Sequence, residues 1–162
     1  MNALRWGGLL AGLGLLQAFL PVVWLPTGAI DWLMIAVTYQ ALRGTFRRSV
    51  VLGAAAGLIQ DGLSGGIVGL HGFAKTTVAA VIASLGSFLV VRGPLPEAGV
   101  NALASLLESA MVIAWLALLG RSGTVATMSV TARAAATASA AALLLFAARW
   151  QRRRQRHLRP RS

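Results

Sequence analysis

Apolar residues form six separate runs along the chain, and glycine, proline or basic residues separate the runs. The runs extend approximately over residues 6–24, 30–42, 49–62, 70–91, 99–119 and 130–150. We expect Pro94 and Pro96 to end the fourth helix, because two prolines this close stop a helix. A helix needs roughly 20 apolar residues to cross the hydrocarbon core of a bilayer, and four of the runs have about that length. The second and third runs are shorter, which favours tilted helices or partial spans. The pattern predicts an all-α, polytopic membrane protein with about six transmembrane helices.

The overall composition agrees with this prediction. Of the 162 residues, 57% are hydrophobic and 12% are charged, and the mean hydropathy is +0.72. Such values exclude a disordered chain and argue against a soluble globular domain. The chain has no cysteine, which excludes disulfides and thiolate chemistry.

The N-terminus resembles a signal peptide, because Arg5 precedes an apolar run. No small-x-small cleavage site follows that run, and Gly8 and Gly12 instead have the four-residue spacing of a helix-packing surface. We therefore expect a first transmembrane helix that is retained.

The formal net charge is +11, and seven of the fifteen Lys and Arg residues lie between Arg149 and Arg161. A basic tail beside a membrane helix is typical of a cytoplasmic anchor to anionic lipid. This clustering argues against nucleic-acid binding. We expect one transmembrane domain over residues 1–150 and a basic cytoplasmic tail over residues 151–162.

The basic residues also predict the topology. With six spans and a cytoplasmic N-terminus, the inner side receives Arg5, the arginines of the second loop (Arg43, Arg47 and Arg48), Arg92 and the tail. The outer side receives only Arg121 and Arg133, while Lys75 lies within a span. The positive-inside rule therefore favours six spans, with both termini in the cytoplasm.

Polar residues concentrate at the turn between the third and fourth runs. Five glycines fall between Gly62 and Gly72, and Asp61, His71 and Lys75 accompany them. If the two helices are antiparallel neighbours, Asp61 lies in the last turn of one and Lys75 about 7 Å into the other. We expect these two side chains to form an ion pair, which lowers the cost of burying either. Gly53 and Gly57, four residues apart, predict close helix packing on the same hairpin.

A second polar set lies on the fifth run. Asn101, Ser105 and Glu108 share one helical face, and an ionised Glu108 in a membrane requires a partner. A helix–helix hydrogen bond is the simpler explanation, and a substrate or proton site is the alternative.

Reactive chemistry has weak support. Ser64, His71 and Asp61 formally supply a nucleophile, a base and an acid, but Ser64 lies in a turn sequence. Neither a metal-binding cluster nor a phosphate-binding loop is recognisable, and we expect no catalytic residue and no cofactor.

The central turn resembles the signature of the rod shape-determining protein MreD family. The segments GLIQDGLSG (residues 57–65) and VGLHGFA (residues 68–74) carry the resemblance, with Gly57, Gln60, Asp61 and Gly69 as the signature positions. The length, the basic second loop and the basic tail are also similar.

The resemblance implies a non-catalytic membrane scaffold of the bacterial cell-elongation complex that supports peptidoglycan synthesis and cell shape. It implies direct binding to MreC and indirect partnership with MreB, RodA and the elongation transpeptidase. It also implies a fold like that of the substrate-binding subunits of energy-coupling-factor transporters. A substrate-binding subunit of a vitamin-type transporter is the alternative function.

Overall fold

The computed structural model describes residues 3–23, 29–65, 67–86, 91, 93–120 and 127–157, and within these ranges the regular secondary structure is α-helical. Six helices follow one another: α1 (Ala3–Val23), α2 (Trp32–Arg43), α3 (Phe46–Ser64), α4 (Leu70–Gly86), α5 (Pro94–Leu118) and α6 (Thr127–His157). The predicted all-α class is confirmed. Residues 87–90 of the predicted fourth span, Arg92 and residues 158–162 of the predicted tail lie outside the described residues.

Two helical segments among the described residues are long and apolar enough to cross a membrane, Pro94–Leu118 and Val130–Ala147. Only 22% and 17% of their most apolar windows are buried, so they are not core helices of a soluble domain. Gly8–Phe19 and Leu70–Gly86 are shorter apolar helices. These features fit a membrane protein, whereas the number of spans remains a prediction.

The distribution of side chains also fits a membrane protein. Lys75 is among the largest side chains that are fully buried, whereas Leu103 and Leu143 are 68% and 71% exposed. An apolar exterior around a polar interior is unfavourable in water, whereas it is compatible with a surrounding lipid bilayer. The apolar core is small and includes Leu33, Met34 and Val78.

Pro94 and Pro96 begin a helix, whereas the sequence predicts that they end the fourth span and that the fifth begins near Gly99. Pro94 is the first residue of α5, where the missing N–H costs nothing because no carbonyl precedes it in the helix. Gly93 precedes it with a φ of +142°, a conformation that favours glycine. The predicted start of the fifth helix was therefore wrong by about one turn. Because the helix begins at Pro94, Glu97 lies inside it.

Helix α6 continues past Trp150 to His157. The expected division between a transmembrane domain ending at residue 150 and a separate tail therefore does not coincide with a break in secondary structure.

Candidate functional site

An ionic cluster lies at the centre of the helix bundle. Lys75 of α4 is fully buried, and its Nζ donates to Asp31 Oδ2 at 2.6 Å. The same Nζ lies 2.9 Å from Oε1 and 3.0 Å from Oε2 of Glu108 on α5. One cation thus joins three helices and forms ion pairs with two carboxylates that are each more than nine-tenths buried. Pairing of this kind offsets much of the cost of removing the charges from water.

Asp31 belongs to the cluster because it is the N-cap of α2. Its Oδ1 accepts from the Met34 backbone N–H at 2.8 Å, which leaves Oδ2 for Lys75. Its own backbone N–H donates to Thr137 Oγ1 of α6 at 3.1 Å. From the sequence alone, Asp31 at the start of the second apolar run is well explained as a helix cap, and its second role as a counter-ion is visible only in the structure.

His71 extends the cluster by one helical turn, because it lies four residues before Lys75 on α4. Its Nδ1 lies 3.0 Å from Glu108 Oε1. Glu108 therefore contacts both basic residues of α4. The simpler of the two explanations for Glu108, an interaction between helices, agrees with this geometry.

The expected ion pair between Asp61 and Lys75 is wrong. Asp61 lies opposite the first turn of α4, and its carboxylate accepts backbone N–H groups of Gly69, His71 and Gly72 at 2.8, 2.9 and 3.1 Å. These N–H groups have no partners within the helix and attract a negative charge. Asp61 therefore caps α4 from the end of α3, while the Lys75 side chain is directed towards α2 and α5.

The structure also brings together α2 and α5 through a second polar layer. Thr38 Oγ1 donates to Asn101 Oδ1 at 2.6 Å, and Arg43 donates to Glu97 Oε1 at 2.7 Å. Thr38, Asn101 and Glu97 are all buried. Asn101 belongs to the polar face expected from the sequence, whereas Glu97, four residues earlier on the same face, was not predicted.

Ser105, the remaining member of the expected polar face, is also buried, and its Oγ has no hydrogen-bond partner among the described residues. The signature residue Gln60 is 6% exposed, and its Oε1 similarly has no partner there. These two side chains lie within the bundle but outside the ionic cluster.

The glycines differ in what surrounds them. A Cβ atom on Gly57 would overlap Cα of Gly72 and the carbonyl of His71, and one on Gly53 would lie 2.8 Å from the Lys75 carbonyl. Both glycines thus allow α3 and α4 to pack backbone to backbone. Gly69, with a φ of +98°, begins the turn into α4.

Helix α1 behaves differently from the α3–α4 hairpin. Apart from the adjacent backbone of α1 itself, no described atom lies within 4 Å of the Cβ position of Gly8 or Gly12, whereas a Cβ on Gly14 would lie 2.8 Å from Ile59. Helix α1 therefore packs through Gly14 and leaves the surface of Gly8 and Gly12 open.

The nucleophilic set of Ser64, His71 and Asp61 does not assemble. The Ser64 hydroxyl donates to the backbone carbonyl of Asp61 at 3.2 Å, and the His71 ring faces Glu108. Beside the ionic cluster lies a pocket of about 50 Å³, with His71, Glu108 and Arg133 in its lining. This volume is well below the roughly 300 Å³ at which small-molecule sites begin.

Comparison with known proteins identifies the family of this chain. The sequence profile of the family described as rod shape-determining protein MreD matches residues 9–147, which is most of the chain. The match includes the α3–α4 turn and the whole ionic cluster. No curated protein and no solved structure matches the chain. The chain therefore belongs to the MreD family, the rod shape-determining proteins of the bacterial inner membrane.

Proposed function

We propose that this protein is a non-catalytic scaffold of the cell-elongation complex, which binds the transmembrane helix of MreC and thereby supports peptidoglycan synthesis. In this proposal it crosses the inner membrane six times, with both termini in the cytoplasm. Through MreC it is linked to MreB, RodA and the elongation transpeptidase. Its family membership supports the role in rod shape.

The ion pairs within the ionic cluster are the observation that supports the non-catalytic role in this proposal. Lys75 forms ion pairs with both Asp31 and Glu108, and Asp61 accepts hydrogen bonds from three backbone N–H groups. These charges hold the helices in place, and the pocket that His71 and Glu108 line among the described residues, at about 50 Å³, is too small for a vitamin-type ligand. This supports a scaffold over the transporter subunit.

The open surface of α1 is the docking site that we propose for the MreC helix. Gly8, Gly12, Leu15 and Phe19 follow one another at helical spacing on one side of α1. The two glycines have open space above them, and Leu15 and Phe19 are 58% and 65% exposed. A stripe with small residues at one end and larger apolar residues at the other is typical of helix–helix contacts within membranes.

Co-purification with MreC tests this proposal. We expect the double substitution Gly8→Leu/Gly12→Leu to reduce the MreC recovered with the protein at least about tenfold, the effect of losing roughly 1.4 kcal/mol. It should also fail to restore rod shape in depleted cells. Gly99→Leu is the matched control, because its Cβ position on α5 is also open.

The outcomes separate the two parts of the proposal. If the unaltered protein retains no MreC, the scaffold role is wrong. If both the unaltered and the Gly8→Leu/Gly12→Leu proteins retain it equally, the docking site is wrong. Membrane levels of each variant show whether a loss reflects folding instead.

A further inference from the structure

An apolar groove separates α4 from α5 at the end of the bundle that carries the α2–α3 loop. Its volume is about 200 Å³, and its lining includes Leu42, Val81, Leu85, Val100, Leu103 and Leu107. Leu103 is 68% exposed and Leu85 is 52% exposed, so the groove opens onto the outer surface of the bundle. In a membrane, this opening faces lipid.

The volume and the position of the groove favour a slender occupant. A transmembrane helix is about 10 Å wide with its side chains, whereas this groove lies between two neighbouring helices of one bundle. A single acyl chain is narrow enough to enter and apolar enough to match the lining. It would also fill space that α4 and α5 leave empty, and filled contacts are more favourable than a gap.

The charges at the end of the groove are positive. Leu42 lines the groove, and the next residue, Arg43, ends α2. The Arg43 side chain is 37% exposed, and its guanidinium is oriented by Glu97 and by the Tyr39 ring, whose centroid is 4.2 Å away.

Two more arginines follow in the first turn of α3. Arg47 and Arg48 are both exposed, whereas the acidic residue at this end, Glu97, is 1% exposed. The surface that a lipid headgroup meets is therefore cationic, which attracts anionic phosphate groups.

We propose that this groove binds one acyl chain of an anionic glycerophospholipid from the adjacent leaflet, with its phosphate group against the arginines of the α2–α3 loop. This site differs from the basic C-terminal tail, because it combines an apolar cavity with a charged rim and therefore selects one lipid molecule. It does not depend on MreC binding, since the groove and the open surface of α1 are formed by different helices.

Native mass spectrometry of the full chain tests the proposal. The protein is reconstituted in mixed phosphatidylglycerol and phosphatidylethanolamine, extracted in mild detergent, and examined for retained lipid. We expect one phosphatidylglycerol per chain. Leu103→Trp, which fills the groove from an exposed position, should reduce retention several-fold. Leu106→Trp is the matched control, because Leu106 is also partly exposed on α5 but does not line the groove.

The headgroup contact has its own variants. Arg47→Gln/Arg48→Gln should reduce the preference for phosphatidylglycerol roughly tenfold, because each cation near a membrane surface contributes to anionic lipid binding. Arg133→Gln, a basic residue at the opposite end of the bundle, should leave the preference unchanged.

A photoreactive acyl chain gives an independent readout, and it should label peptides of α4 and α5 that line the groove. Equal retention of the two lipids, equal effects of the two tryptophan variants, or labelling confined to other helices would each overturn the proposal. So would crosslinking of the groove to the MreC helix, since the groove would then hold a protein.

Discussion

The Nζ atom of Lys75 and the Oδ2 atom of Asp31 lie 2.6 Å apart, although 44 positions separate the two residues in the chain. Asp31 caps α2, which has only 12 residues and is therefore about 18 Å long at 1.5 Å per residue. In the proposed topology Arg43, at the other end of α2, lies at the bilayer surface, which places the start of the helix within the roughly 30 Å of hydrocarbon. Its capping carboxylate therefore requires a cation, and Lys75 provides it.

Lys75→Met should destabilise the protein strongly. The substitution leaves Asp31 and Glu108 buried without their shared cation, and removing one partner of a buried pair costs about 3–5 kcal/mol. We expect lower membrane levels and a lower thermal midpoint in detergent, measured by the loss of the monodisperse peak in size-exclusion chromatography after heating.

A second substitution identifies the partner of Lys75. Glu108→Gln added to Lys75→Met should restore part of the lost stability, because one uncompensated carboxylate is removed. Asp61→Asn added to Lys75→Met should restore none, because Asp61 interacts with backbone N–H groups instead. If Asp61→Asn restores stability to the Lys75→Met protein and Glu108→Gln does not, the partners of Lys75 are assigned wrongly.

Much of the α3–α4 hairpin can be predicted from the sequence. The apolar pattern and the glycines indicate two adjacent helices joined by the turn after Asp61, and they place Asp61 at the end of one and Lys75 inside the other. The pattern does not determine the rotation of α4 about its axis. Gly72 faces Asp61, whereas the Lys75 side chain, three residues later, extends towards α2 and α5, because that rotation is determined by packing against those helices.

The ionic cluster is harder to predict, because its members come from three helices. Asp31 has a complete local explanation as a helix cap, so nothing in the sequence marks it as a counter-ion. Glu97 belongs to the second polar layer between α2 and α5, and it was not predicted for a different reason. Pro94 and Pro96 are read as the end of one helix, although proline is equally suited to the first turn of the next.

Asp61 provides the second prediction. Asp61→Asn should cost less stability than Asp61→Ala, because an amide oxygen keeps part of the acceptor function whereas alanine leaves the Gly69, His71 and Gly72 N–H groups without it. A hydrogen bond to a charged group contributes about 1.5–3 kcal/mol. Ser64→Ala is the control, since the exposed Ser64 bonds only to the Asp61 carbonyl among the described contacts. Thermal denaturation in detergent ranks the three variants, and equal midpoints for Asp61→Ala and Ser64→Ala would contradict the capping role.

Gly57 provides the third prediction. Gly57→Ala places a methyl group against backbone atoms of Gly72 and His71, which cannot move without separating α3 from α4. Overpacking of this kind typically costs about 1–3 kcal/mol. Gly62→Ala, on the same helix but with open space at its Cβ position, should be neutral or stabilise the protein by up to about 1 kcal/mol. The contrast is measured by thermal denaturation of both variants, and a neutral Gly57→Ala would mean that the two helices are farther apart than described.

The contact between α2 and α5 provides the last prediction. The Thr38 hydroxyl has one proton, and its 2.6 Å distance to Asn101 Oδ1 is the shortest of its three contacts with acceptors. Thr38→Val keeps the volume but leaves a buried amide oxygen unpaired, so we expect a loss of about 1–3 kcal/mol, whereas Thr38→Ser should retain the bond. Thr77→Val is the matched control, because the exposed Thr77 hydroxyl donates, among the described residues, only to the Phe73 carbonyl of its own helix. If thermal midpoints fall equally for Thr38→Val and Thr77→Val, the interhelical hydrogen bond does not contribute to stability.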